Sequence, residues 1–214
     1  ISVKSLNFEA TLDSTLMNVD KMTMELENSS LNLTAHFTKY SPLSLQQNND
    51  ILKSKIDISF DATNFSTTEI KRFAFVPLNS SQTANIKFRA KGSFQDLDID
   101  TMNIQLASNE IQSFGKLHDI GGNNFQYLIN IFDSKITDSA IKDLISIDLS
   151  AIPQFQQANV KNIQINGNLE NVNVDFNFSS KIGNAKGKAF LDFAKELKYG
   201  INADFSNINL EEIA

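Results

Sequence analysis

The chain has 214 residues, a formal net charge of −6, 41% hydrophobic and 21% charged residues, which is too apolar for a disordered segment. The acidic balance argues against non-specific nucleic-acid binding, and no nucleic-acid partner is expected. Cys is absent, which excludes disulfide and thiolate chemistry. Trp is absent too, whereas Phe occurs 17 times.

The first stretch, roughly 6 to 70, alternates apolar and polar residues in four runs. Leu6, Phe8, Ala10 and Leu12 form the first, and Met22, Met24 and Leu26 the second, after a parity break at Val19-Asp20-Lys21. Leu31, Leu33, Ala35 and Phe37 form the third, and Ile56, Ile58 and Phe60 the fourth. Period two is the mark of a strand with one apolar face. Between the third and fourth runs, Ser41 to Asp50 reads as a polar loop. Ser66-Thr67-Thr68-Glu69 has capping-box spacing and predicts a helical turn near 67 to 73.

The pattern then repeats. Ile86, Phe88 and Ala90 lead to Gly92, and Leu97 and Ile99 are followed by Met102, Ile104 and Leu106. The break at Ile99-Asp100-Thr101-Met102 copies the one after Val19, and predicts a bulge shared by the two copies. Ile111, Gly115 and Leu117 make a weaker strand. Gly121-Gly122-Asn123 is a turn, and Phe125, Tyr127, Ile129 and Ile131 complete the copy before a short helix capped by Asp138.

A third copy starts near 160. Ile163 and Ile165 lead to Gly167, the counterpart of Gly92. Val172, Val174, Phe176 and Phe178 alternate cleanly, as do Ala185, Gly187, Ala189, Leu191 and Phe193, with Gly187 matching Gly115. Tyr199, Ile201, Ala203 and Phe205 close the copy. Phe60, Phe132 and Phe205 align, and Ile70, Ile141 and Ile213 fall 71 and 72 positions apart. A fixed long period signals a repeat architecture. We divide the chain into copies at 1–70, 71–145 and 146–214, together one continuous domain. The chain begins at Ile1 and ends inside the third copy's helical start, as expected for a piece of a longer repetitive protein.

Twelve strands with short connections predict an antiparallel sheet. Ordinary twisted sheets rarely exceed about ten strands without curling or splitting. A closed sandwich or barrel would bury the apolar face on itself. A sheet folded lengthwise into a U would keep an apolar trough, and repetition favours this form because each copy adds the same increment. The expectation is all-β: a long antiparallel amphipathic sheet of about twelve strands curled into a U-shaped trough, with short helical turns between repeats. A transmembrane barrel is disfavoured by the missing Trp and by only three Tyr where interfacial girdles would stand.

Catalysis finds little support. His36 and His118 are the only histidines and lie in different copies; His36 is out of phase with its apolar neighbours, as a solvated residue would be. Asp96, Asp98 and Asp100 alternate on one face, and Asp133, Asp138, Glu211 and Glu212 are isolated. None has calcium-loop or zinc spacing, so a solvated polar face is the simpler reading and no metal or cofactor is expected. The chain reads as a non-enzyme. Its functional candidate is the apolar stripe: Leu31, Leu33, Phe37, Ile58, Phe60, Phe88, Ile104, Tyr127, Ile129, Val174, Phe176, Leu191, Ile201 and Phe205. These would line a groove able to bury acyl chains, or fill a dry core.

Gly-x-Leu/Phe, an alternating strand, a Gly-marked strand, then Tyr-x-Ile with a Phe downstream and a short helical start recur through the chain. Ile141-Lys142-Asp143-Leu144, Ile152-Pro153 and Ile163-Gln164-Ile165-Asn166-Gly167 connect the copies. In these features the chain resembles the periplasmic repeats of the TamB/AsmA-like family, and its Asn, Lys and Ile bias resembles AT-rich bacteria such as Bacteroidota. The resemblance implies a β-taco, or repeating β-groove, that carries phospholipid between the inner and outer membranes of a Gram-negative cell. It implies a periplasmic location in a longer protein anchored in the inner membrane. An outer-membrane TamA/BamA-like partner would be reached through regions outside this chain. The alternative is a non-lipid scaffold, a chaperone-like surface for outer-membrane protein assembly or a surface adhesin.

Overall fold

A computed structural model describes residues 3–13, 16–38, 54–66, 82–106, 108–138 and 156–212. The strands are β1 (Val3–Leu12), β2 (Leu16–Leu26), β3 (Ser30–Thr38), β4 (Lys55–Ser66), β5 (Thr83–Ser93), β6 (Asp96–Leu106), β7 (Asn109–His118), β8 (Gln126–Thr137), β9 (Gln157–Asn168), β10 (Asn171–Ser180), β11 (Gly183–Asp192) and β12 (Lys198–Ser206). A 3-10 turn, Leu210–Glu212, follows β12. The inter-repeat helical turns expected near 67–73 and 139–145 lie outside the described residues.

The twelve strands form one sheet in sequence order, and every neighbouring pair is antiparallel. The fold is therefore all-β, as the alternation predicts. β1 and β12 stand at opposite edges and do not pair, so the sheet is open. Among the described residues no second layer faces it.

Parity breaks in the sequence become bulges. Val19 and Lys21 pair with Ala10 and Glu9, which leaves Asp20 as the extra residue of β2. Ile99 and Thr101 pair with Ala90 and Arg89, which leaves Asp100 as the extra residue of β6. The extra residue keeps Ile99 and Met102 on one face although they are three positions apart. In the third copy the bulge moves one strand earlier: Val160 and Asn162 pair with Phe178 and Asn177, and Lys161 is extra in β9. The fourth strands of the first two copies bulge as well. β4 does so at Asn64 and β8 at Asp133, both with left-handed backbones (φ 52° and 41°). The Asn64 N–H donates to Asn85 Oδ1 at 2.8 Å, which satisfies a group freed from the ladder. Each bulge bends its strand and increases local twist. Bulges on β2, β4, β6, β8 and β9 thus distribute bending along the whole sheet.

Candidate functional site: a continuous apolar face

Following the register from strand to strand gives rows of residues that share one face. One row runs Ala10, Val19, Ala35, Ile58, Ala90, Ile99, Gly115, Ile129, Ile165, Val174, Ala189, Ile201. It crosses all twelve strands without a polar side chain. On one side lies the row from Leu12 through Phe37, Ile56, Gly92, Leu97, Tyr127, Gly167 and Leu191 to Tyr199. On the other lies the row from Phe8 through Leu33, Phe60, Phe88, Met102, Ser113, Ile163, Phe176 and Gly187 to Ala203. A fourth row starts at Leu6, Met24, Leu31, Ala62, Ile86, Ile104 and Ile111, and resumes past the β8 bulge as Ser134, Val160, Phe178, Ala185 and Phe205. No charged side chain stands in these four rows. At about 4.8 Å per strand and about 6.6 Å per row, the face measures about 50 by 20 Å.

All fourteen residues singled out from the sequence stand on this face. Phe37, Tyr127 and Leu191 share one row, and Ile58, Ile129, Val174 and Ile201 the next. Leu33, Phe60, Phe88 and Phe176 share the third, and Leu31, Ile104 and Phe205 the fourth. Val19, Ile56, Leu97, Ile99, Ile163 and Ile165 are not among those candidates, although the alternation or its parity breaks include them, and they stand in the same rows. Phe132 departs from its alignment with Phe60 and Phe205. It points to the opposite face, opposite Gln112 and Asn162, and its ring lies 5.6 Å from that of Phe114. The Asp133 bulge comes after it, so counting from the repeat end places it out of phase.

Two serines enter the face, and both hydroxyls are satisfied within the sheet. Ser113 donates to the Met102 carbonyl at 2.6 Å. Ser134 donates to the Phe132 carbonyl at 2.7 Å and accepts the Gln112 N–H at 2.8 Å, bridging the bulge. Neither offers a free polar group to an apolar occupant. Glycines interrupt the rows where strands approach closely. A Cβ at Gly187 would collide with the Asn202 carbonyl and come within 2.7 Å of Ala203 Cα, opposite the Phe176 ring. Gly92, with φ 143°, adopts a backbone that L side chains rarely take.

Burial is uneven along the rows. Ala90 is 0% exposed and Ile56 4%, whereas Ile201 is 73% and Tyr199 76% exposed. A central cluster of Ile56, Ala90, Leu97 and Ile99 draws in Phe37, Ile58, Phe88, Met102, Leu117 and Ile129. The face thus grades from a packed centre to open ends at β1 and β12.

The opposite face carries the charge, arranged as cross-strand pairs. Arg89 bonds Asp61 at 2.6 Å and also donates to the Phe88 carbonyl at 2.8 Å. Lys116 meets Asp98 at 2.7 Å, His118 meets Asp96 at 2.7 Å and Lys188 meets Asp175 at 2.9 Å. Two of the three alternating aspartates are therefore partners of basic side chains on β7, Lys116 and His118. The Asp96 hydrogen bond raises the His118 pKa above its ordinary value, and the Asp98 hydrogen bond raises that of Lys116. Burial raises that of Tyr127, on the apolar face. His36 stands on the polar side, between Asn18 and Asp57. Among the described residues no group of three or more His, Asp or Glu could hold a metal ion. No helix among them is long and apolar enough to cross a membrane.

No family model, curated protein or solved structure matches the chain.

Proposed function

We propose that the chain is a lipid-conduit segment whose apolar face holds phospholipid acyl chains. The observation that carries this reading is the set of four charge-free rows across twelve strands, without a covering layer among the described residues. Burial of each CH₂ group on such a face contributes about 0.8 kcal/mol. That force is non-directional, so tails can slide along the rows without a fixed site. The bulges supply the bending that would turn the sheet into a U-shaped trough, with charged pairs outside and the rows inside. The sequence resemblance extends the proposal: a periplasmic segment of an inner-membrane-anchored TamB/AsmA-like protein, supporting outer-membrane biogenesis. A TamA/BamA-like partner would be reached through other regions.

The scaffold reading is favoured by one observation, the dense packing around Ala90 and Ile99, which leaves little room for a guest at the centre. Native mass spectrometry with lipid extraction separates the two. The conduit predicts co-purified phospholipid, lost in a variant carrying Phe176→Asp and Ile201→Asp. A lipid-free protein unable to take up a fluorescent acyl probe would leave the scaffold.

A further inference from the structure

The polar face changes character midway along the sheet. From β4 to β7 it is charged, and cross-strand pairs join Asp61 to Arg89, Asp57 to Lys91, Asp98 to Lys116 and Asp96 to His118. The rows that continue from His118, Lys116 and Phe114 onto β8 and β9 carry amides instead: Gln126, Asn130, Gln164, Asn166 and Asn168. Asn173 on β10 extends the row of Asn166. β7 to β10 are interior strands, each paired on both sides.

Two adjoining depressions lie over this ground. One, of about 420 Å³, has Lys116, His118, Gln126, Leu128, Asn166 and Asn173 in its lining. The other, of about 380 Å³, lies over Phe114, Lys116, Leu128 and Asn130, beside Asp98 and Asp100. The side chains of Gln126, Asn166 and Asn173 make no hydrogen bond among the described residues. Gln164 donates to Asn130 at 3.0 Å, which uses one donor and one acceptor of the two amides and leaves the others. Phe114 is 46% exposed on this face, and Leu128 is half-buried. Phe114 precedes Gly115, whereas Lys186 precedes the matching Gly187 in the third copy. The exposed ring therefore belongs to the second copy and not to the repeat pattern.

Charge is not what this ground selects. Lys116 and His118 are held by Asp98 and Asp96, and the amides are neutral. An amide supplies a donor and an acceptor from one planar group, the complement of a sugar hydroxyl, which is also both. A sugar ring further presents flat C–H faces, which pack on an exposed aromatic or aliphatic side chain. We propose that the polar face of β7 to β10 binds a neutral oligosaccharide. Phe114 and Leu128 pack on its C–H faces, and Gln126, Asn166 and Asn173 hydrogen-bond its hydroxyls. At about 4.8 Å per strand the site spans about 14 Å, which suits a short chain of sugars. It lies opposite the apolar rows, so it stands whether or not those rows hold lipid.

The test is an NMR titration that follows the side-chain amide signals of the chain. Three probes cover different linkages and substituents: maltohexaose, cellohexaose and N-acetylchitohexaose. At least one should give saturable shifts at Gln126, Asn166 and Asn173. Asn166→Ala should weaken that binding about tenfold. Phe114→Lys, which installs the residue the third copy carries, should do the same while keeping the circular dichroism of the native chain. Asn32→Ala, on the same face in the first copy, should leave binding unchanged. No saturable shift with any of the three probes overturns the proposal. So does binding that survives both Asn166→Ala and Phe114→Lys.

Discussion

At the scale of single residues, the polar face is built from pairs that link adjacent strands. His118 and Asp96 tie the start of β6 to the end of β7, and the raised His118 pKa reports that link. A group whose folded pKa is raised stabilises the fold while protonated. The contribution is therefore present below about 6.5, the ordinary His value, and is lost as pH rises through the raised value. An NMR titration of the His118 ring should give a midpoint above that of a free His, and Asp96→Asn should return it to the ordinary range. An unchanged midpoint in the variant would remove Asp96 as the cause. On the apolar face, the corresponding constraint is space. Gly187→Val places a branched side chain against the Asn202 carbonyl and the Ala203 backbone, and should cost about 1–3 kcal/mol in urea unfolding. A neutral substitution would mean that β11 and β12 can separate freely there.

At the scale of elements, the bulge at Asp100 makes two deletions behave differently. Removing Asp100 brings Ile99 and Met102 to a spacing of two, so every later residue of β6 keeps its face. Removing Asn103 instead turns Ile104 and Leu106 to the polar face. The second deletion should lose about 3–6 kcal/mol, the burial of two large aliphatic side chains, and the first far less. Equal losses in chemical denaturation would contradict the assigned register. Most of the elements were legible in the sequence because period two is a local signal, and each strand carries it. The bulges at Asp20 and Asp100 were legible as parity breaks. The one at Lys161 had the same signature, Val160 and Ile163 three apart, but lies at the start of a copy where no earlier alternation sets the phase. The left-handed turns at Asn64 and Asp133 left no such mark, since nearby polar residues conceal the slip. That is why Phe132 aligns with Phe60 and Phe205 in the sequence repeat and yet stands on the polar side.

At the scale of the whole molecule, the rows exist only through pairing. Fourteen residues chosen by parity share one face because antiparallel neighbours in sequence order preserve it through every hairpin. Their grading from packed to exposed could not be read from the sequence, because a position such as Ile201 and a position such as Ile58 carry the same side chain. What separates them is the number of strands on either side. The central claim is that this face, and not the charged one, holds acyl chains. The most direct measurement places a photo-crosslinking amino acid at Ile165, in the apolar rows, or at Gln164, its neighbour on the polar face, where the side chain bonds Asn130 at 3.0 Å. With phospholipid vesicles as the source, irradiation should attach lipid at 165 and leave 164 unmodified. Equal attachment at both positions, or none at 165, would contradict the conduit.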